Sequence, residues 1–230
     1  MYKLDYIKES MNRFSEQRDE YDIGGFIQVY VKDKFETPID INMVISQIYT
    51  SIPHHLLSEV DSLFIGMFDE FEEMDTNAMY KNGAIYVSNT QDNEEDLADD
   101  IIHEIAHSIE EPYGYVIYGD GELEREFLQK RKKLYEILRE EGLHPDEGMF
   151  SDPVYSQKMD LYLYEDVGYD RLNFIALSYG LYTSAYSATS LREYFANGFE
   201  YYFIDNPDYL QEICPILYKK IKEIHEDDQH

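Results

Sequence analysis

The order of elements along the chain predicts an α+β protein, with a small sheet first and a mainly helical remainder. Three observations carry this. Runs of β-branched and aromatic residues bounded by turn signals fall at 26–31, 62–68 and 84–87. Beyond residue 97 the apolar residues recur at spacings of three and four, the period of a helix face. No internal repeat or linker-like stretch divides the 230 residues, a length that suits one domain.

Taken in order, Leu4, Ile7, Met11 and Phe14 predict an amphipathic helix over 2–16. Gly24 and Gly25 then open the strand 26–31. Ile41, Val44, Ile45 and Ile48 share one face of a helix over 39–52, which Pro53 ends. A second strand follows at 62–68. Asn82-Gly83 is a tight-turn signal that starts the short strand Ala84, Ile85, Tyr86, Val87. The acidic stretch 89–96 would cap the helix 97–109 and favour the positive end of its dipole. A long charged helix covers 121–141, and its Arg125, Lys130, Arg131, Lys132, Lys133 and Arg139 read as a solvated face. Residues 142–168 show no clear period. Helices resume at 170–178 and 190–203, and a last one after Pro207 is interrupted at Cys214-Pro215.

Composition narrows the function. There are 48 acidic residues against 19 Lys and Arg, a formal charge of −29, which repels phosphate backbones and anionic lipid. Nucleic acid and membrane surfaces are therefore excluded as partners, and basic ligands are favoured. Cys214 is the one cysteine, so no disulfide framework exists, and its place on an apolar pattern marks it as a buried small residue. The charged N-terminal stretch lacks the apolar core of a secretory signal, and no apolar run reaches about 18 residues. The expectation is a cytoplasmic or otherwise non-exported chain, with a monomer as the simplest assembly.

One constellation carries chemistry. His103-Glu104-Ile105-Ala106-His107 is H-E-x-x-H on a helix that has its own start signal. Residues four apart stand one above the other, about 6 Å along the axis, so both imidazoles can reach one Zn²⁺. Glu104 points about 100° round the helix from His103, where a carboxylate can take a proton from water activated by the metal. Leu97, Ile101, Ile102, Ile105, Ala106 and Ile109 form the buried stripe, whereas Asp99, His103 and His107 line another. A hydrolytic zinc site needs a third protein ligand and an open position. Downstream, Glu193 opens a helix whose Phe195, Ala196, Phe199 and Phe203 face inward, and the small Ala196 would permit close packing on the histidine helix.

Here the chain resembles the zincin metallopeptidases related to anthrax toxin lethal factor and the Pro-Pro endopeptidases. These carry H-E-x-x-H, then a Glu ligand in an E-x-F-A-x-x-F-like helix, with a Tyr seven residues before that Glu. Glu193, Phe195, Ala196 and Phe199 match the helix and Tyr186 the tyrosine, and 206–218 is similar to the family's closing segment. The resemblance covers roughly 60–110 and 180–225. It implies one catalytic zinc held by His103, His107 and Glu193, Glu104 as general base, and Tyr186 as the hydroxyl that stabilises the oxyanion. Tyr179 and Tyr182 are nearby rivals for that last role.

The resemblance also implies a small twisted mixed sheet, an active-site helix and a helical C-terminal subdomain, all in one domain spanning 1–230. The sheet and metal helix would fill 1–110 and the third ligand would lie in 176–230. The segment 111–175 would be an insertion, because the stretch from His107 to Glu193 is longer than is usual in the family. A sheet-edge strand beside the metal helix would bind an extended substrate by main-chain hydrogen bonds, and Ala84, Ile85, Tyr86 and Val87 are the candidate. Where the family often places Glu-Ala, this chain has Asn197-Gly198, so either Asn197 or Glu200 would take the imidazole-orienting role. The expected function is a zinc-dependent endopeptidase acting on peptide or protein substrates, basic ones among them. The alternative is an acidic binding protein without turnover, a nucleic-acid mimic or a sequestering module, motivated by the charge of −29.

Overall fold

The computed structural model describes residues 20–74 and 76–227, so the helix expected over 2–16 lies outside the described residues. The chain is mixed α+β and divides into two compact units, Met1–Ile105 and Ala106–His230. The boundary falls inside one helix. Residues 111–175, expected as an insertion, share the second unit with 176–230.

The first unit is built on five strands: β1 (Glu20–Ile23), β2 (Ile27–Val31), β3 (Ser62–Ile65), β4 (Ala78–Lys81) and β5 (Ala84–Val87). Their order is β1-β2-β3-β5-β4, with β2, β3 and β5 parallel and the two outer strands antiparallel to their neighbours. The β1–β2 turn needs Gly24 and Gly25 at φ 63° and 81°; a Cβ on Gly24 would sit 2.4 Å from the Phe26 ring. The β4–β5 turn is Asn82-Gly83, both with positive φ, the pairing that a two-residue hairpin prefers. Strand pleating then sorts the faces. Val29, Leu63 and Ile85 align in register and are buried, whereas Tyr30, Phe64 and Tyr86 stack on the other face at 5.1 and 5.3 Å between rings.

This order corrects one expectation. β5 is paired on both sides, with β3 and with β4, so Ala84, Ile85, Tyr86 and Val87 have no free main-chain edge for a substrate strand. The edges of this sheet are β1 and β4. The two strands not foreseen, β1 and β4, are four residues long and flank the two glycine turns.

Helix α1 (Ile41–Ser51) is capped by the Asp40 carboxylate, which accepts from Asn42 N at 3.0 Å, and buries Ile41, Val44 and Ile48. A short helix α2 (Asp69–Met74) follows β3. Helix α3 (Glu94–Tyr118) starts where the acidic stretch predicts: Asn93 Oδ1 accepts from Asp96 N at 3.0 Å, and Glu94, Glu95 and Asp96 fill its first turn. It does not stop at Ile109 but runs through Pro112. An internal proline costs about 3 kcal/mol. Burial of Tyr113 and Ile117 beyond it offsets that cost, at about 1.5–3 kcal/mol for each large apolar side chain.

The second unit continues with α4 (Glu122–Glu140), α5 (Glu147–Ser151), α6 (Gln157–Leu161), a π-helical turn at Tyr162–Val167, α7 (Tyr169–Ser178), a 3-10 turn at Tyr186–Ala188, α8 (Leu191–Ile204), α9 (Pro207–Ile213) and α10 (Pro215–His225). The break at Cys214-Pro215 falls as predicted, and Cys214 is buried. Phe127, Leu134, Leu138, Phe195, Phe199, Leu217 and Ile221 form the core. Gly198 is where the close approach occurs: a Cβ there would lie 2.3 Å from Leu217 Cδ2.

The basic face of α4 is only partly solvated, which corrects the expectation. Arg125, Lys132, Lys133 and Arg139 are exposed, but Lys130 donates to Ile213 O at 2.7 Å, at the negative end of α9. Arg131 is wholly buried and makes no ion pair among the described residues. It donates to four main-chain carbonyls: Ala188 (2.9 Å), Met149 (3.1 Å), Asp152 and Thr189. Its guanidinium lies 4.7 Å from the centre of the Phe127 ring. Burial lowers it to about 10, so it remains a cation at neutral pH. One side chain thereby joins the C-terminal side of α5 to the turn that precedes α8. Among the described residues no helix is long and apolar enough to cross a membrane.

Candidate metal centre

Helix α3 sets the first two candidate ligands by its own period. His103 and His107 are both half-buried, and the unbroken helix between them fixes one imidazole over the other. Glu104, next to His103 on the way round the helix, is only 7% exposed.

The third residue comes from the first turn of α8. Ser190 caps this helix by accepting from Glu193 N at 3.2 Å, the first half of a capping box. The Glu193 side chain points to His107 instead of closing the box: Oε1 lies 3.5 Å from His107 Nε2. His103, His107 and Glu193 each offer one ligand atom, and these atoms lie within 4.8 Å of one another. The donor set fits Zn²⁺. With bonds of about 2.0–2.2 Å, neighbouring ligands of a tetrahedral site stand about 3.3–3.5 Å apart, and the His107–Glu193 separation matches that edge.

The residue that meets the His107 imidazole is one the sequence reading did not single out. His107 Nδ1 lies 3.3 Å from Glu110 Oε2, one helical turn on, which leaves Nε2 directed at Glu193. Glu110 in turn accepts from Tyr118 Oη at 2.5 Å and from Arg192 Nε at 2.6 Å. Burial alone pushes the Glu110 carboxyl up, but its hydrogen bonds with His107, Arg192 and Tyr118 outweigh that and hold it below the ordinary range. Asn197, proposed from sequence for this role, is spent elsewhere: Nδ2 donates to Glu193 O at 2.9 Å and Oδ1 accepts from Ser184 Oγ. Asn197 therefore holds the Glu193 backbone rather than an imidazole. Glu200, the other candidate, sits half-buried two turns beyond Glu193 on α8.

The tyrosine rivals separate by burial. Tyr182 is fully buried, with its ring edge-on to Tyr194 at 5.9 Å. Tyr179 is largely exposed at the end of α7. Tyr186 lies in the 3-10 turn before α8, where burial and then the nearby Glu193 charge push its hydroxyl up, so that it keeps its proton at neutral pH. Its turn is held by Thr189, which donates through both N and Oγ1 to Tyr186 O (3.0 and 2.8 Å), and by Asn173, which accepts from Ala185 N at 2.6 Å. Arg131, bound to Ala188 O and Thr189 O, completes the support.

Sequence reasoning missed Glu110, Arg192, Tyr118 and Arg131. Glu110 alone left a signal, since it extends the motif to H-E-x-x-H-x-x-E at a spacing of three. No family model, no curated protein and no solved structure matches the chain.

Proposed function

We propose that the chain is a zinc-dependent endopeptidase of the zincin type. The convergence of His103, His107 and Glu193 within 4.8 Å is the observation that carries the reading. A small mixed sheet ahead of the H-E-x-x-H helix, and a third ligand on a later helix, agree with that architecture. Zinc held by these three side chains would supply a Lewis acid that polarises a peptide carbonyl and acidifies water.

The chain's own groups do the rest. Glu104, buried beside His103, takes the proton of the attacking water and returns it to the leaving amine. The Tyr186 hydroxyl, kept protonated, donates to the oxygen on which negative charge develops, an effect worth about 2.7–4 kcal/mol for a well-placed donor. Glu110 holds His107 in the tautomer that turns Nε2 outward.

The test pairs zinc content with cleavage of a random peptide library. The wild type should bind one zinc and cleave. Glu104→Gln should keep the zinc and lose about 10²–10⁴-fold in rate. Undiminished cleavage by Glu104→Gln removes the general base, and a wild type that takes up no zinc removes the whole reading.

A further inference from the structure

The helices that carry His107 and Glu193 are joined by a further link beside the candidate ligands. Arg192, the residue before Glu193, reaches across from α8 to α3. Its Nε donates to Glu110 Oε2 at 2.6 Å, and its Nη2 lies 2.5 Å from the same oxygen. That oxygen also meets His107 Nδ1 at 3.3 Å, while Tyr118 Oη donates to the other one at 2.5 Å. On the opposite side of the imidazole, Nε2 faces Glu193 Oε1 at 3.5 Å. The contacts therefore close a ring. Glu193, His107, Glu110 and Arg192 follow one another round it, and the peptide bond between Arg192 and Glu193 completes it.

Charge and burial explain why this corner of the ring holds a cation. The Glu110 side chain is only 9% exposed, and a buried carboxylate is costly unless it is paired and hydrogen-bonded. Arg192 supplies a permanent positive charge, and two N–H groups of its planar fork converge on one oxygen, which a lysine could not reproduce. Arg192 Nη2 also comes within 3.4 Å of His107 Nδ1. A guanidinium only donates, so of these two neighbours of Nδ1 only the carboxylate can accept its proton. Arg192 thus acts on the imidazole through Glu110, and on Glu193 through the backbone that the two residues share.

We propose that Arg192 is a positioning residue: by gripping Glu110 it fixes the first turn of α8 on α3, so that the Glu193 carboxylate is aimed at His107 Nε2 before a metal ion binds. The proposal rests on the zinc-peptidase reading and adds to it a residue outside the ligand set. Ordering a ligand in advance removes that ordering cost from binding, which is how preorganised sites gain affinity. The Arg192 side chain is itself 64% exposed, so shortening it opens no cavity in the core.

The test compares the full-length wild type with Arg192→Met, Arg192→Lys, Glu110→Gln and the double variant Arg192→Met/Glu110→Gln. Zinc affinity is read by chelator competition, and coordination by the visible spectrum of the Co²⁺-loaded chain. Arg192→Met should weaken zinc about tenfold. Its Co²⁺ bands, strong in a four-coordinate site, should weaken as the carboxylate is no longer held in place. Arg192→Lys keeps the charge without the fork and should recover part of the affinity. On the Glu110→Gln background, Arg192→Met should cost no more than about twofold further, because both act along one path. An Arg192→Met chain with the affinity and spectrum of the wild type overturns the assignment, and so does a full further loss in the double variant. A zinc-loaded wild type that cleaves no peptide overturns the peptidase reading instead and leaves the affinity comparison to judge Arg192. If the wild type takes up no metal, that reading also falls. The grip of Arg192 on Glu110 is then judged by urea unfolding of the same chains, where additive effects of the two substitutions reject it.

Discussion

The two regions that supply the candidate ligands reach their positions by different physics. In α3 the period of one helix puts His103 over His107, and Glu110 follows one turn later to orient the second imidazole. Everything needed lies within eight residues. Glu193, by contrast, stands at the start of α8, behind a turn tied down from α4 by Arg131, from α7 by Asn173 and from the α5–α6 connection by Pro153. A locally built element tolerates damage elsewhere, whereas the second region depends on partners scattered over sixty residues of chain. The lesson is that the third candidate ligand, not the histidine pair, is the point at which the grouping is most easily lost.

The sharpest way to break the comparison is Arg131→Met. It keeps an unbranched apolar side chain against Phe127 but strips donors from two buried carbonyls, those of Ala188 and Thr189, and from two part-buried ones, those of Met149 and Asp152. Each unsatisfied group costs about 1–3 kcal/mol, so unfolding in urea should show a loss of at least about 3 kcal/mol. Zinc affinity should fall with it, because the turn bearing Thr189 and Ser190 loses its anchor. A variant as stable as the wild type, with unchanged zinc affinity, would mean that the α8 side is as self-sufficient as α3.

Glu110→Gln probes the local region and should have the next largest effect. The amide keeps the shape but weakens the hydrogen bond that orients His107 and loses the charge facing Arg192. Zinc affinity should fall about 10–100-fold, read by competition with a chelator, while thermal stability changes little by comparison. An unchanged affinity would leave His107 oriented by its helix alone.

The same contrast explains what could be read in the sequence. The H-E-x-x-H helix, its acidic start and the Asn82-Gly83 turn were legible because neighbouring residues decide them. The edge position wrongly given to Ala84–Val87 was not, since pairing order is a property of the whole sheet and β4 has no β-branched residue. The passage of α3 through Pro112 was hidden because burial of Tyr113 and Ile117 overrides a local rule. Residues 142–168 stayed unreadable for a related reason. Met149 and Asp152 are held by Arg131, a residue whose own sequence context reads as solvated surface. Glu110 belongs to the other group, because its spacing of three from His107 places it one helical turn on.

Asn197→Ala carries the smallest expected effect and sharpens the comparison most finely, because it separates support of the ligand's backbone from support of an imidazole. The Asn197 amide donates to Glu193 O, a carbonyl inside a helix that retains its own hydrogen-bonding geometry, and its oxygen accepts from the Ser184 hydroxyl. Losing these two neutral bonds should cost about 1–2 kcal/mol of stability in total. Neither contact reaches His103 or His107, so zinc affinity measured by the same chelator competition should stay within about threefold of the wild type, well short of the Glu110→Gln loss. If Asn197→Ala instead weakens zinc binding as much as Glu110→Gln does, then the backbone under Glu193 governs the site. The orienting work assigned to the H-E-x-x-H-x-x-E helix would have to be given to α8.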